Sequence, residues 1–522
     1  MNKKLHVVLC LVFALLLSMS FVVSGQDYDP DASIVFTTDD IPSTLDPMWS
    51  SALNADGAFR NIFDTMFIQD PATMLVSPHI INEYSVDESG LVWTLIIRDD
   101  VVTHAGEKIT AEDLVYSFER IYDVEIAVPG SFMSFLGAQI EYDKSEIVDD
   151  LTWKLYTKSP TPGIPYILAG IYVMDKSFYE ALPSKEAARE QIMGTGPYYV
   201  SEYVLDDHIT LERFDDYWMG PQKIKTITFR EIKDVDTRLF ELQTGGVDAV
   251  KDFSPSRIEE IDAWDNVKII HKNGGCRYFI GFNHENPKWQ NKNVRLALNY
   301  AVDWDTINTA LFGNGSPRLE IDVNPPWNNP AITAYQYDPE KAKSLIEGEG
   351  YILNAEGYYE KDGEVLGGKA YFSYPQTSVY TEMIFAIADQ YRKQGILLEP
   401  VYQESNNYTT KLSNMEWDDF FYKRDCSTFD GLGDISHLAA GNTSNYGRWN
   451  DAKWMELYNA YRTEMDADKA KEIFFELQQY NYDEAPIVFL TRSLELWAVN
   501  EKLVWEPSPD GRCNFRGAYV LK

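Results

Sequence analysis

An α/β fold is what the sequence predicts, and three observations predict it. Residues 226–250 read as a β-α-β unit, short alternating apolar segments recur between amphipathic helical ones along the chain, and no repeat or low-complexity linker divides it into beads. The unit is legible residue by residue. Gly194 and Gly196 bracket a turn closed by Pro197, and Tyr198 to Val204 and Ile209 to Phe214 alternate around the polar turn 205–208 as a hairpin. Thr226 to Ile232 reads as a strand and Val235 to Gln243 as a helix with Val235, Leu239 and Leu242 on one face. Gly245-Gly246 stops that helix before the strand Val247 to Val250.

The remaining elements follow in chain order. Met1-Asn2-Lys3-Lys4 precedes an apolar run to Val23, and the small residues at 23 and 25 suit cleavage after Gly25, so residues 1–25 read as a signal peptide. Cys10 lies inside that run and not at its polar exit, which argues against a lipid anchor. Asp27, Asp29 and Asp31 read as a flexible acidic terminus, since Ala32 stands where a calcium loop needs glycine. Ile34 to Thr37 is a strand, Ala55 to Met66 a helix, and Leu91 to Ile97 a strand. Thr110 and Asp113 form the capping box of a helix that turns Leu114, Phe118 and Ile121 inward. Farther on, Asn293 to Ala301 and Asp305 to Phe312 are helices, the second stopped by Gly313, and Asp338-Pro339 opens another. Tyr358 to Phe372 reads as a turn-rich hairpin. Thr381 to Gln394, Trp454 to Tyr461 and Lys469 to Tyr480 are the late helices.

Composition narrows the function. The length of 522 residues suggests two to four domains, and the net charge of −35 speaks against nucleic acid or anionic lipid as partner, because both need clustered positive charge. The seven histidines hold no i,i+4 pair and no His-Glu-x-x-His, and no Gly-x-Ser-x-Gly elbow is present, so neither a zinc hydrolase nor a serine hydrolase has a visible ligand or nucleophile set. "GEVLGGKA" (363–370) satisfies part of a phosphate-loop pattern, but Ala370 replaces the magnesium-binding hydroxyl and no helix follows. No cofactor is called for. A glycoside hydrolase stays as the alternative from another class, because its carboxylate pair is defined by distance and not by spacing. Cys276, Cys426 and Cys513 remain beyond the signal, an odd set that permits one bridge and one free thiol, or three thiols.

The wording of the 194–250 segment goes further. "GTGPY…LERFDDYW…ITFREI…LFELQTGGVDAV", with "WTLIIRDDVVTHAGEKITAEDLVYSFERI" (93–121), "YFIGFNHENPKWQNKNVRLALNYAVDWDTINTALFGNGSPR" (278–318), "YDPEKAKSLIEGEGY" (337–351) and "DEAPIVFL" (483–490), resembles the family 5 extracytoplasmic solute-binding proteins, the dipeptide, oligopeptide and nickel binders of ABC importers. The resemblance spans nearly the whole chain past residue 25. It implies a periplasmic-binding-protein-like fold of two lobes and a hinge, in three domains. Domain I is discontinuous (26–65, 193–275 and 491–522), domain II covers 66–192 and domain III 276–490.

The resemblance also implies a function that is not enzymatic. The chain is expected to be a periplasmic, monomeric binding component that captures short peptides and passes them to ABC permease subunits, with an oligosaccharide as the alternative ligand. In peptide-binding members a segment matching 420–450 supplies an aspartate for the ligand's α-ammonium. Asp430 takes that place here, with Asp425 one register away, although the tryptophan usual before it is absent. Arg424 is the nearest basic choice for the peptide carboxylate, and Trp417 and Trp449, which flank the segment, are the candidates for stacking on a sugar. The family also implies a Cys276–Cys426 bridge, and a structural role for His104 in a tight turn.

Overall fold

The computed structural model describes residues 27–49, 53–123, 137, 140–375, 378–426 and 431–522; the expected signal peptide lies outside them. The β-α-β unit forms from Thr226–Glu231, the helix Val235–Thr244 and Ala249–Lys251. Asp234 caps the helix by accepting the Thr237 N–H at 2.8 Å, and Gly245 ends it in the left-handed region at φ 78°. A third strand, Ser33–Thr38, is inserted between the two strands of the unit and runs parallel to both, with Ile34 opposite Ile227 and Phe36 opposite Ala249. The hairpin Tyr198–Val204 and His208–Arg213 extends the same sheet beyond Thr226–Glu231.

The full sheet has ten strands. In order they are Leu397–Tyr402, Gly367–Phe372, Phe420–Cys426, Val267–Phe282, Ile487–Asn500, Ala249–Lys251, Ser33–Thr38, Thr226–Glu231, His208–Arg213 and Tyr198–Val204. Its centre is the antiparallel pair Val267–Phe282 and Ile487–Asn500, and these two strands carry the chain between two lobes. At one end Ile270, Trp497 and Val499 pack into a core with Phe36, Phe229 and Phe515; at the other Tyr278, Ile280, Val488 and Leu490 join Leu298, Ile384 and Tyr391. The pairing changes register between Asn273 and Arg277, midway between these cores. A separate antiparallel sheet, Ile81–Val86, Val92–Ile97, Thr152–Thr157 and Tyr142–Asp149, merges with the first core through Trp93, Leu95, Trp153 and Leu155. The helix Ala111–Glu119 lies on it with Leu114 and Phe118 buried, and the Thr110 N–H donates to Asp113 Oδ2 at 2.8 Å as the capping box requires.

Three expectations are corrected. The first long helix covers Leu53–Ile62 and stops short of Met66, because the Ile62 carbonyl accepts the Gly196 N–H at 2.8 Å in place of an intrahelical donor. This close approach explains the glycines of the GTG turn: a Cβ on Gly194 would lie 2.1 Å from Ile62 O, and one on Gly196 2.6 Å from Ile62 C. The acidic start is tied down, since Asp29 N–H donates to Val520 O, Lys522 N–H donates to Asp27 O, and Tyr28 bridges Leu521. Of the expected hairpin at 358–372, only Tyr359–Lys361 and Glu364–Val365 pair as arms, while Gly367–Phe372 enters the large sheet parallel to both neighbours.

Two histidines are held as neutral groups, His284 buried and His104 partly buried. His104 lies in the tight turn, with its N–H donating to Gly194 O and Nε2 3.0 Å from Gly196 O. Burial pushes it down to about 4, against the pull of that carbonyl; burial and then Arg295 push His284 down to about 3. Between about pH 6.5 and 4 the unfolded chain therefore binds protons that the folded chain refuses, so stability is retained above that window and falls as the pH falls through it. Urea unfolding of His104→Asn is expected to show a pH 6.5-to-4 stability loss smaller than that of the unmodified chain by on the order of 3 kcal/mol. An unchanged loss would remove His104 from the account.

Candidate functional site

The strand Phe420–Cys426 positions the segment singled out by sequence. It pairs with Val267–Phe282, with Phe420 opposite Phe282, Tyr422 opposite Ile280 and Asp425 opposite Arg277. Alternation sends Phe420, Tyr422 and Arg424 to one face of the sheet, and Phe421, Lys423 and Asp425 to the other. The two charged candidates, Arg424 and Asp425, therefore lie on opposite sides. Asp430 lies outside the described residues. The last described residue before it, Cys426, is joined to Cys276 by a disulfide, and Cys513 is a free, buried thiol.

Asp425 is already occupied by basic side chains of its own chain. Its Oδ2 is 3.2 Å from Arg277 Nη2 and 3.4 Å from His437 Nδ1, and its Oδ1 is 3.3 Å from Lys423 Nζ. Burial works to raise its pKa, but Lys423, His437 and Arg277 outweigh it and hold the carboxyl at about 2. Arg277 is the hub. Fully buried, it donates through Nε to Asp322 Oδ1 at 2.8 Å, through Nη1 to Asp434 Oδ1, and through Nη2 to the Asp434 carbonyl at 2.9 Å. Asp434 also accepts the Asn324 N–H at 2.7 Å, and the His437 ring stacks on Phe279. A buried arginine with three carboxylates is stable only because each of its three nitrogens donates to an oxygen.

Arg424 is exposed at the end of its face, beside the Tyr278 hydroxyl and near Tyr374 and Glu495. The residue is therefore open to solvent, with its guanidinium hydrogen-bonded to the Tyr278 hydroxyl. Neither tryptophan is open in this way. Trp417 is 3% exposed and meets Phe421 edge-on, and Trp449 is 7% exposed, with His284 against its ring and the Arg295 guanidinium 5.0 Å from its centre. The expectation that they offer open stacking faces is corrected: both are part of a buried core of the second lobe. A small pocket beside Trp449, lined also by Phe279, Phe282, Phe421 and His437, lies within this second lobe and is too small for an oligomeric ligand.

The residues that sequence reasoning missed are Arg277, Asp322, Asp434 and His437. One signal was available: a lone arginine inside the apolar run 276–282 has to be paired if that run is a buried strand. These partners come from two distant segments, at 322 and at 434–437, and carry no such mark. Among the described residues no group of three or more His, Cys, Asp or Glu could hold a metal ion, and no helix is long and apolar enough to cross a membrane.

A family model described as "Bacterial extracellular solute-binding proteins, family 5 Middle" matches residues 76–446. The chain is 24% identical to the dipeptide-binding protein of Escherichia coli (strain K12), over 94% of each chain. It is also 24% identical to the oligopeptide-binding protein AppA of Bacillus subtilis (strain 168), over 77% of this chain and 76% of that one. Among solved structures it shares its fold with NikA from Brucella suis in complex with Fe(III)-EDTA, with a TM-score of 0.82 at 18% identity, covering 94% of this chain and 100% of that one.

Proposed function

We propose that this chain, which belongs to the bacterial extracellular solute-binding proteins of family 5, captures short peptides between its two lobes and delivers them to the permease of an ABC importer. The observation that carries this reading is the match to a dipeptide-binding protein along 94% of both chains, so that both lobes and the strands joining them have counterparts. The family is one of binding proteins and not of enzymes. Export through residues 1–25 would place the mature protein in the periplasm as a monomer, with the lobes dividing near residues 276 and 490.

The site chemistry supports the following roles within this reading. Asp425 has its cationic partners already, so Asp430 is the carboxylate available for a peptide α-ammonium, and exposed Arg424 is the guanidinium available for the carboxylate end. An ammonium enclosed between lobes loses hydration that only a nearby carboxylate restores. The peptide backbone would hydrogen-bond to strand edges while its side chains occupy wet, permissive pockets, giving affinity with weak sequence preference.

Calorimetric titration of refolded, ligand-free protein tests this. Di-alanine to penta-alanine are expected to bind and cello-oligosaccharides not to, and Asp430→Ala is expected to weaken peptide binding about tenfold to a hundredfold, equivalent to about 1.4–2.7 kcal/mol. Binding of the sugars alone would discard both anchors. Peptide binding unaffected by Asp430→Ala would move the amine elsewhere.

A further inference from the structure

A carboxylate stands behind Arg424. Arg424 pairs in register with Tyr278, so both side chains leave the same face of the sheet, and the guanidinium is hydrogen-bonded to the Tyr278 hydroxyl. The Tyr278 ring stacks on Tyr380 with centroids 3.9 Å apart and an interplanar angle of 8°. Tyr380 in turn accepts the Leu494 N–H on its hydroxyl at 2.9 Å, and the residue after Leu494 is Glu495. The ring pair thus links Arg424 to the strand Ile487–Asn500 next to Glu495. Burial holds both tyrosine hydroxyls protonated, above their ordinary range, and it does the same for Tyr374. Of Tyr278, Tyr374 and Glu495, the groups that act on Arg424, only Glu495 is therefore charged at neutral pH. Glu495 is itself held in place. Its Oε1 accepts the Ser493 hydroxyl at 2.7 Å and its Oε2 lies 3.6 Å from Lys251 Nζ. A Cβ on Gly274 would fall 2.7 Å from Oε1 and one on Gly511 2.9 Å from Oε2, so the two glycines leave the slot that the carboxylate fills. Lys251 is buried and lies 3.6 Å from Asp252 Oδ1 as well; burial works to lower its pKa, but Asp252 and Glu495 outweigh it and keep the ammonium charged.

We infer that Glu495 is a specificity-determining residue that sets how strongly Arg424 prefers a free carboxylate: it offsets part of the guanidinium's charge, and Lys251, by drawing on the same carboxylate, limits that offset. This role for Glu495 rests on the reading of Arg424 as the anchor for a peptide's carboxylate end. A guanidinium with a fixed carboxylate behind it attracts an incoming carboxylate less than a lone guanidinium does, because the two like charges repel across it. Glu495 does this without touching the ligand. The consequence is a binder that selects only mildly for a free terminus at this position, in keeping with weak preference along the rest of the peptide.

Two probes isolate the effect, tri-alanine and tri-alanine amide, which differ only in the terminal carboxylate. The readout is the ratio of their dissociation constants by calorimetric titration, since a change in structure alone would move both together. Glu495→Gln is expected to shift the ratio about fivefold in favour of the free acid. Lys251→Gln, which leaves Arg424 as the cation nearest that carboxylate, is expected to shift it the other way. An unchanged ratio in folded Glu495→Gln, or a shift toward the amide, would overturn this role. Should Glu495→Gln fail to fold, Lys251→Gln decides by the same ratio. Phenylglyoxal labelling of Arg424, read by mass spectrometry of the peptide that carries it, tests the charge coupling without any ligand. The reagent attacks the neutral guanidine, so Glu495→Gln is expected to be labelled several-fold faster than the unmodified chain, and an equal rate would overturn the coupling. If neither tri-alanine nor its amide binds the unmodified chain, the peptide reading fails, while the labelling rate still decides whether Glu495 governs Arg424.

Discussion

Asp64→Ala is expected to destabilise the folded chain by about 3–5 kcal/mol, measured as the shift in urea-unfolding free energy at pH 7. The carboxylate is completely buried and receives four donors: His79 Nε2 at 2.8 Å, the Tyr217 hydroxyl at 2.9 Å and Arg516 Nη1 at 2.6 Å on Oδ1, and the Trp218 indole N–H at 2.8 Å on Oδ2. Burial would raise its pKa, but Arg516 and His79 together with the hydrogen bonds hold it far below the ordinary carboxylate range. Removing it leaves the Arg516 guanidinium, the Tyr217 hydroxyl and two ring donors without the acceptor they share. Its four partners come from three separate segments of the chain, so the loss is expected to reach the docking of the C-terminal segment on the helix Leu53–Ile62, where Arg516 also donates to the Arg60 and Phe63 carbonyls. Because the folded pKa is depressed, this stabilisation is present above about pH 4 and is lost as the pH falls through the folded value. A shift below about 1 kcal/mol would show that the four donors find other acceptors on relaxation.

The Asp64 network also gives "FDDYW" a physical meaning that the sequence alone withheld. Tyr217 and Trp218 were legible as part of a family motif, and the structure shows them as donors to a carboxylate more than 150 residues away. What was readable was local. The helix Val235–Thr244 carries its cap, its apolar face and its αL stop within twelve residues, and the capping box at Thr110–Asp113 needs only four. The insertion of Ser33–Thr38 between the strands of the β-α-β unit was hidden, because strand neighbours in a sheet are set by tertiary packing and not by chain order. For the same reason Gly367–Phe372 was read as a hairpin arm, when its partners are Leu397–Tyr402 and Phe420–Cys426.

The candidate site divides along the same line. Strand periodicity settles that Arg424 and Asp425 face opposite ways, so a ligand group that meets one cannot share that face with the other. It cannot reveal that Asp425 is spoken for, since Arg277 is 148 residues away and His437 approaches from a later turn. The tryptophans mislead for a related reason: an indole next to a polar loop reads equally as a platform or as a wedge, and only burial separates the two.

Breaking the Cys276–Cys426 bridge is the other large effect, and Cys426→Ser is expected to lower unfolding stability by about 2–5 kcal/mol. The two cysteines are 150 residues apart, and in the chain-entropy account a loop of that length removes on the order of 5 kcal/mol of freedom from the unfolded ensemble. Local geometry favours the upper part of the range. The pair is the last in register between Phe420–Cys426 and Val267–Phe282, and the next pair inward is Arg277 with Asp425. Without the sulfur bridge, the end of the strand would be held by that charged contact, whose arginine must also serve Asp322 and Asp434. The loss should therefore lie near the top of that range, and adding Asp425→Asn to the single mutant should cost less than Asp425→Asn costs in the bridged chain if the two contacts hold the strand end cooperatively. Dithiothreitol is expected to reproduce the Cys426→Ser loss in the unmodified chain and to leave Cys426→Ser unchanged, because Cys513 is unpaired. Equal stability with and without reductant would show that strand pairing and the Arg277 contacts hold this end of the strand unaided.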